Sequence, residues 1–208
     1  MPNRKIPFLK DNFYHVFSRG NRKSQIFFEP SDYLRFLKKA QEYKNKYQVA
    51  VIVFCLLPNH FHLLLKQLAK VPLSQFMGTL LNSFSRFISV KYHLPTGHVF
   101  QGRFGARHLD NPSDLLQVSR YIHLNPIKEN IFQLDFTWRK GRKIQGKELL
   151  TKLRNYPWSS FPSYLGSQKS DLEVNIDPII EIERNLKKYQ KFVESKITEE
   201  DLIILEDY

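Results

Sequence analysis

The order of apolar and polar positions divides the chain into a short series of elements. Residues 11–18 alternate aromatic and polar side chains and end at Arg19-Gly20-Asn21, a turn signal, so they predict a first strand. Pro30-Ser31-Asp32 opens a helix to about Tyr47, with Ser31 or Asp32 as its cap. Within it Tyr33, Leu34, Leu37, Ala40, Tyr43 and Tyr47 recur at helical spacing. Val49 to Leu57 is an apolar, β-branched run, the pattern of a buried strand, and Pro58-Asn59 turns it into another strand from His60 to about Lys66. Pro72 suits the first turn of the next helix, whose stripe of Leu73, Phe76, Met77, Leu80, Leu81, Phe84, Phe87 and Ile88 belongs to a core. After a turn-rich stretch, Ala106 to Leu109 predicts a fourth strand. Asn111-Pro112-Ser113-Asp114 caps a third helix, from about Asp114 to Leu124, which Asn125-Pro126 is expected to stop.

The order β-α-β-β-α-β-α contains, in its first six elements, the split β-α-β pattern of a ferredoxin-like fold. The expected class is α+β: an antiparallel sheet with helices on one face and the other face available. Trp158 to Leu165 supplies aromatic packing to seal the body. A tail then follows, with one helix expected over about Pro178 to Ser195. The chain is therefore divided into a body, residues 1–166, and a tail, residues 167–208.

Composition adds a partner class. The chain has 208 residues and is 42% hydrophobic, with 17 Phe and 10 Tyr, which is a globular composition. Its one cysteine, Cys55, lies in an apolar run; it excludes an internal disulfide and a cysteine-based zinc site and fits a reducing cytoplasm. The charged, proline-interrupted N-terminus does not read as a signal peptide, and no apolar stretch nears the ~20 residues of a membrane span. Of 32 Lys/Arg and 20 Asp/Glu, 26 and 9 lie in residues 1–166, leaving 6 and 11 in the tail. A basic body attracts polyanions, nucleic acid above all. The acidic tail reads as a solvated helix, or as a segment that lies over the basic face and competes with DNA.

The candidate chemistry starts at His60-Phe61-His62. On a strand, His60 and His62 share a face, about 7 Å apart, while Phe61, Leu63 and Leu65 point to a core. Two imidazoles on one rigid face can share a divalent metal. On the third helix, Tyr121 and Asn125 are four residues apart and share a face. Asn125 could give its side-chain oxygen to the metal, and Tyr121 could bring its phenol to the substrate. His123 falls roughly on the opposite side and is the poorer third ligand. His15, His93, His98 and His108 have no partner at ligand spacing and read as surface or structural. Arg139-Lys140-Gly141-Arg142-Lys143 reads as a single-strand phosphate clamp or a solvated loop, and Arg19, Arg103 and Arg107 are further backbone-contact candidates.

Leu57-Pro58-Asn59-His60-Phe61-His62-Leu63-Leu64-Leu65 resembles the HUH motif of the single-tyrosine transposases, and Arg120-Tyr121-Ile122-His123-Leu124-Asn125-Pro126 resembles their catalytic-tyrosine segment. Ser18-Arg19-Gly20-Asn21, Phe100-Gln101-Gly102-Arg103-Phe104 and Pro157-Trp158-Ser159-Ser160 extend the similarity to REP-associated tyrosine transposases over roughly residues 8 to 166. The chain departs from the pattern after Asn125-Pro126: Lys128 keeps the usual basic charge, whereas Glu129 and Asn130 replace a small residue and a glycine. The resemblance implies a magnesium or manganese ion held by His60, His62 and Asn125. It implies attack by Tyr121 on single-stranded or hairpin DNA, giving a 5′-phosphotyrosine and a free 3′-hydroxyl, later reversed. A neighbouring cation, with Arg120 as one candidate, would favour the phenolate; a surface ion pair is an equal role for Arg120. Monomer and homodimer both remain open. Two rival functions are a non-catalytic nucleic-acid-binding module on the same sheet and a metal-dependent hydrolase that uses water.

Overall fold

The computed structural model describes residues 7–94, 99–129, 131, 146–195 and 197. The body is built from β1 (Phe13–Arg19), α1 (Pro30–Tyr47), β2 (Val49–Leu57), β3 (His60–Gln67), α2 (Leu73–Lys91) and β4 (Gly105–Leu109). All neighbouring strands are antiparallel, in the order β2-β3-β1-β4, so β3 is inserted between the two strands that α1 connects. This is the expected α+β, ferredoxin-like arrangement. Among the described residues five helices follow: α3 (Pro112–Lys128), α4 (Gly146–Arg154), α5 (Phe161–Tyr164), α6 (Asp177–Glu183) and α7 (Leu186–Glu194).

The sheet separates two cores. On one side Tyr14, Val16, Phe54, Phe61, Leu63 and Leu65 meet Phe36, Leu37 and Ala40 of α1 and Phe76, Leu80 and Phe84 of α2. On the other side Val53, Cys55, Leu57 and Leu64 meet Ile122 and Ile127 of α3 and Tyr164, Ile179, Tyr189 and Val193 beyond it. Helices therefore cover part of the second face as well. The reason is in β2, all nine of whose residues are buried. A strand that is apolar on both sides needs a layer on each. An irregularity between Val51 and Val53 shifts the register there, so Val51 packs in the first core while Ile52 and Val53 pack in the second. Over β1 and β4 the second face stays more open.

Three boundaries differ from expectation. The helix-breaking signal at Asn125-Pro126 is overridden, and α3 runs to Lys128 with Pro126 inside it. A helix-interior proline costs about 3 kcal/mol. Burying Leu124 and Ile127 in the second core offsets this at roughly 1.5–3 kcal/mol per side chain. The described part of the tail forms two helices, because Arg184 adopts a left-handed conformation (φ 68°) and Asn185 starts a new helix, its side chain accepting from the Lys188 N–H at 2.9 Å. At α1 the capping residue is Glu29; Asp32 lies one turn in and accepts from the N–H groups of Phe28 and Glu29. The outer edge of β2 is occupied: the Leu56 N–H donates to the Trp158 carbonyl, the Ser160 N–H to Phe54 and the Asn175 N–H to Val51. This edge is thus closed to strand pairing with another chain.

Candidate active site

Strand register assembles the site. Arg19 lies opposite His60, Phe17 opposite His62 and His15 opposite Leu64; on the far side of β1, Gly105 pairs with Phe17 and Arg107 with His15. Directly paired residues share a face, so these side chains form one row of patches on the second face. The His60 and His62 rings are perpendicular, with centroids 5.1 Å apart. Helix α3 lies beside them. Its continuation past Pro126 gives a stripe at four-residue intervals, Tyr121, Asn125 and Glu129, all on the side of the histidines. The Tyr121 ring is 5.4 Å from His62 and 5.9 Å from His15, edge to face in both cases. Glu129 Oε1 lies 3.9 Å from His60 Nε2 and 4.0 Å from an Arg19 guanidinium nitrogen.

Each histidine is held by a polar neighbour. His60 Nδ1 is 2.6 Å from the side-chain oxygen of Asn59, so Nδ1–H donates and Nε2 keeps its lone pair. His62 Nδ1 and His15 Nε2 share one hydrogen bond of 3.0 Å. Burial, reinforced by Arg19, lowers the pKa of His60 to about 4. Burial and then the other two histidines and Arg19 lower that of His62 to about 2, and burial with Arg107 lowers that of His15 to about 4. All three rings are therefore neutral at pH 7, the form in which imidazole binds a metal. The partners on the second ring nitrogens fix orientation, as outer-shell groups do around metal-bound histidines.

Tyr121 is 37% exposed, an open position for a reactive phenol. Burial of its inner half and the Glu129 carboxylate raise its pKa, while hydrogen bonding from Asn125 and the Arg19 charge oppose them. Lys128 Nζ lies over its ring, 4.9 Å from the centroid. Asn125 is 1% exposed; its amide nitrogen donates to the Tyr121 carbonyl at 2.9 Å, and its amide oxygen accepts no hydrogen bond among the described residues. A buried oxygen without a donor is costly, and coordination to a cation would satisfy it. Among the described residues no three His, Cys, Asp or Glu side chains are grouped to hold a metal. The two neutral imidazoles and the Asn125 oxygen could hold a divalent ion, a mixed nitrogen and oxygen set that suits first-row divalent ions.

The other candidates named from the chain separate. Arg19 reaches the site. Arg107 lies on the same face, paired with Asp114 at 2.9 Å. Arg103 lies between α2 and β4, outside this row of strand residues. Arg120 packs its guanidinium 4.0 Å from the Phe192 ring centroid and bonds to Gln117, so the tail engages it and Lys128 takes the place beside the phenol. Arg139, Lys140, Arg142 and Lys143 fall outside the described residues, as does His98. His123 is fully buried on the opposite side of α3, bonded to Ser160 Oγ at 2.8 Å and the Tyr189 hydroxyl at 2.9 Å, and serves the second core. His108 is structural, bonded to the Asn12 side chain. Sequence reasoning missed His15, Phe17 and Glu129. The odd positions of β1 carried the signal, since a split β-α-β sheet must lay β1 along β3.

A search of curated proteins returns no match to the chain. Among solved structures, the chain resembles a REP-associated tyrosine transposase bound to a REP hairpin, at 17% identity and TM-score 0.57, over 85% of this chain and 93% of the other. It also resembles a putative transposase from Deinococcus radiodurans R1, at 16% identity and TM-score 0.40, over 59% of this chain and 95% of the other. The first likeness establishes the fold. The family model described as "Transposase IS200 like" matches residues 9–125, which include β1, both histidines of β3, Tyr121 and Asn125. The chain belongs to the IS200-like transposase family, enzymes that cut and rejoin DNA strands.

Proposed function

We propose that this transposase is a metal-dependent single-stranded DNA endonuclease and strand transferase that works through a covalent 5′-phosphotyrosine on Tyr121. The observation that carries the reading is the packing of the Tyr121 phenyl ring against His62, with neutral His60 and an Asn125 oxygen that has no donor among the described residues on the same side of α3. The relative bound to a REP hairpin favours hairpin DNA with an adjoining single strand as the substrate form.

His60, His62 and Asn125 would hold a magnesium or manganese ion. When bound, such an ion polarises a phosphodiester oxygen and stabilises the charge that builds in the transition state. The remaining work falls to side chains of this chain. Asn59 and His15 hold the two imidazoles in place. Arg19 lies where it favours the phenolate of Tyr121, and Lys128, over the ring, adds positive charge for the approach of a phosphate. The phenol loses its proton to solvent at its exposed edge, and its oxygen forms a bond to phosphorus. The bond from phosphorus to the 3′ oxygen breaks, and that oxygen leaves as a 3′-hydroxyl after taking up a proton. A later 3′-hydroxyl attacks the phosphotyrosine and releases Tyr121. The number of phosphodiester bonds is conserved, so no nucleotide cofactor enters.

Labelled single-stranded hairpin DNA, incubated with the protein and manganese and resolved by denaturing electrophoresis, tests this. A protein-sized labelled adduct is expected for wild type and is lost in Tyr121→Phe and in the double variant His60→Ala/His62→Ala. Cleavage that survives Tyr121→Phe without an adduct would replace this reading with a hydrolase. Binding with neither adduct nor cleavage, over a varied set of hairpins, would replace it with a non-catalytic binding module.

A further inference from the structure

Phe17 stands apart among the aromatic residues of the sheet. It is on the central strand β1, where neighbouring side chains are buried, yet it is 41% exposed. Its ring lies next to the proposed chemistry, with centroids 5.9 Å from His62 and 5.3 Å from His15. Gly105 explains how the ring lies. Gly105 is the residue paired with Phe17 across β1 and β4, and its φ does not demand glycine. The demand comes from space: a Cβ built there would fall 2.5 Å from Phe17 Cε2, inside the ring's van der Waals envelope. The missing side chain lets the phenyl ring lean across β4 and cover bare backbone, with part of its surface left to solvent. Arg19 and Arg107, on the same face of the sheet, flank it at the next positions along β1 and β4.

An exposed aromatic ring between guanidinium groups is the combination that holds single-stranded nucleic acid: cations track the phosphates while a base stacks on the ring. We propose that Phe17, seated on Gly105, is a stacking platform for one unpaired nucleobase of the DNA strand next to the phosphate that Tyr121 attacks. The assignment rests on the strand-transfer reading for its position and names a contact which that reading does not require. Stacking uses the π-face common to all bases, so the platform accepts any base and orients the strand without selecting its sequence. His15 and His62 border the ring, so a base stacked there places its own backbone phosphate beside the histidine row. Arg19 and Arg107 hold Glu129 and Asp114 in the free protein, and these ion pairs would exchange for phosphates as the strand enters.

The probe is a single-stranded thymidine 20-mer carrying one 5-iodouracil, bound without metal to the otherwise intact Tyr121→Phe protein, irradiated, and mapped by mass spectrometry. The expected cross-link is in the peptide containing Phe17. Phe17→Leu should lose that cross-link and weaken binding about 5- to 150-fold, the range for one lost base stack. Phe17→Trp should retain both. Gly105→Ala, which leaves Phe17 in the chain but displaces its ring, should lower the cross-link yield. Thermal melting of each variant confirms that it is folded. Cross-links elsewhere, with Phe17→Leu binding within twofold of its parent, overturn the platform even where wild type forms the Tyr121 adduct. A Phe17 cross-link without any Tyr121 adduct supports the platform and sinks strand transfer. No binding of the 20-mer at low salt overturns the platform and leaves strand transfer to the hairpin assay.

Discussion

Lowering the pH from 7.5 to 5.5 should remove about 5 kcal/mol of folding stability from the metal-free protein. Among the described residues four histidines are buried neutral: His15, His60, His62 and His123. Burial is the leading cause in each, and it places their folded pKa values at about 4, 4, 2 and 3 against an ordinary imidazole value of 6.5. Between pH 6.5 and about 4 the unfolded chain therefore binds protons that the folded chain does not. Stability rises with pH wherever the unfolded state holds more protons, so it is lost as pH falls through 6.5. The loss levels off only below about pH 4, where His15 and His60 begin to protonate in place. At pH 5.5, one unit below the unfolded value, each histidine contributes a loss of about 1.3 kcal/mol relative to pH 7.5. His15 and His62 share a hydrogen bond and titrate as a pair in the folded state; a pair that held one proton at pH 5.5 would reduce the total to about 4 kcal/mol. Either figure is a large part of the 5–15 kcal/mol typical of a folded domain. Urea unfolding in EDTA at pH 7.5, 6.5 and 5.5 measures it. A change below about 1.4 kcal/mol, the worth of a single histidine over one pH unit, would refute the buried-neutral assignment.

Tyr189→Phe removes the hydroxyl bonded to buried His123 and should lower stability by about 1–3 kcal/mol, or roughly 2–12 °C in Tm, by calorimetry; an unchanged Tm would mean that this bond is not made. His15→Ala should weaken manganese binding about 10- to 100-fold in a calorimetric titration, with His15→Gln recovering part of it, because His62 loses the group that orients it. Affinity within twofold of wild type would deny His15 that role. Glu129→Gln should lower the Tyr121 phenol pKa, since the carboxylate raises it, and ultraviolet titration of the tyrosinate would register the change; no movement, or a rise, contradicts the placement of Glu129.

The elements that could be read from the chain were those fixed by local periodicity. The alternation at His60-Phe61-His62 put both imidazoles on one face, and the four-residue step from Tyr121 to Asn125 put both on one side of α3, as observed. His15 escaped because its partner is 47 positions away and the pairing exists only through strand register. Glu129 escaped because Asn-Pro is a strong local stop, and only tertiary burial of Ile127 shows that the helix continues. Arg120 is one candidate cation for the phenol through adjacency in sequence; adjacent helix positions diverge by about 100°, and Phe192 of the tail holds its guanidinium instead. The open second face was expected from the six-element pattern alone, although the unbroken apolar run of β2 already called for cover on both sides.

Helix α3 acts as an axle with two bearings. Tyr121 turns outward to the histidine row, and two positions later His123 is gripped by Ser160 and Tyr189 within the core. Because both are mounted on one rigid rod, its angle of rotation is shared property. Deleting or inserting a single residue in the turn before Tyr121 would spin the phenol by about 100° toward the core while every substitution-tolerant surface position stayed intact. In this lineage, length change in α3 should be far rarer than residue replacement, and an engineered graft of the helix must carry its phase as faithfully as its sequence.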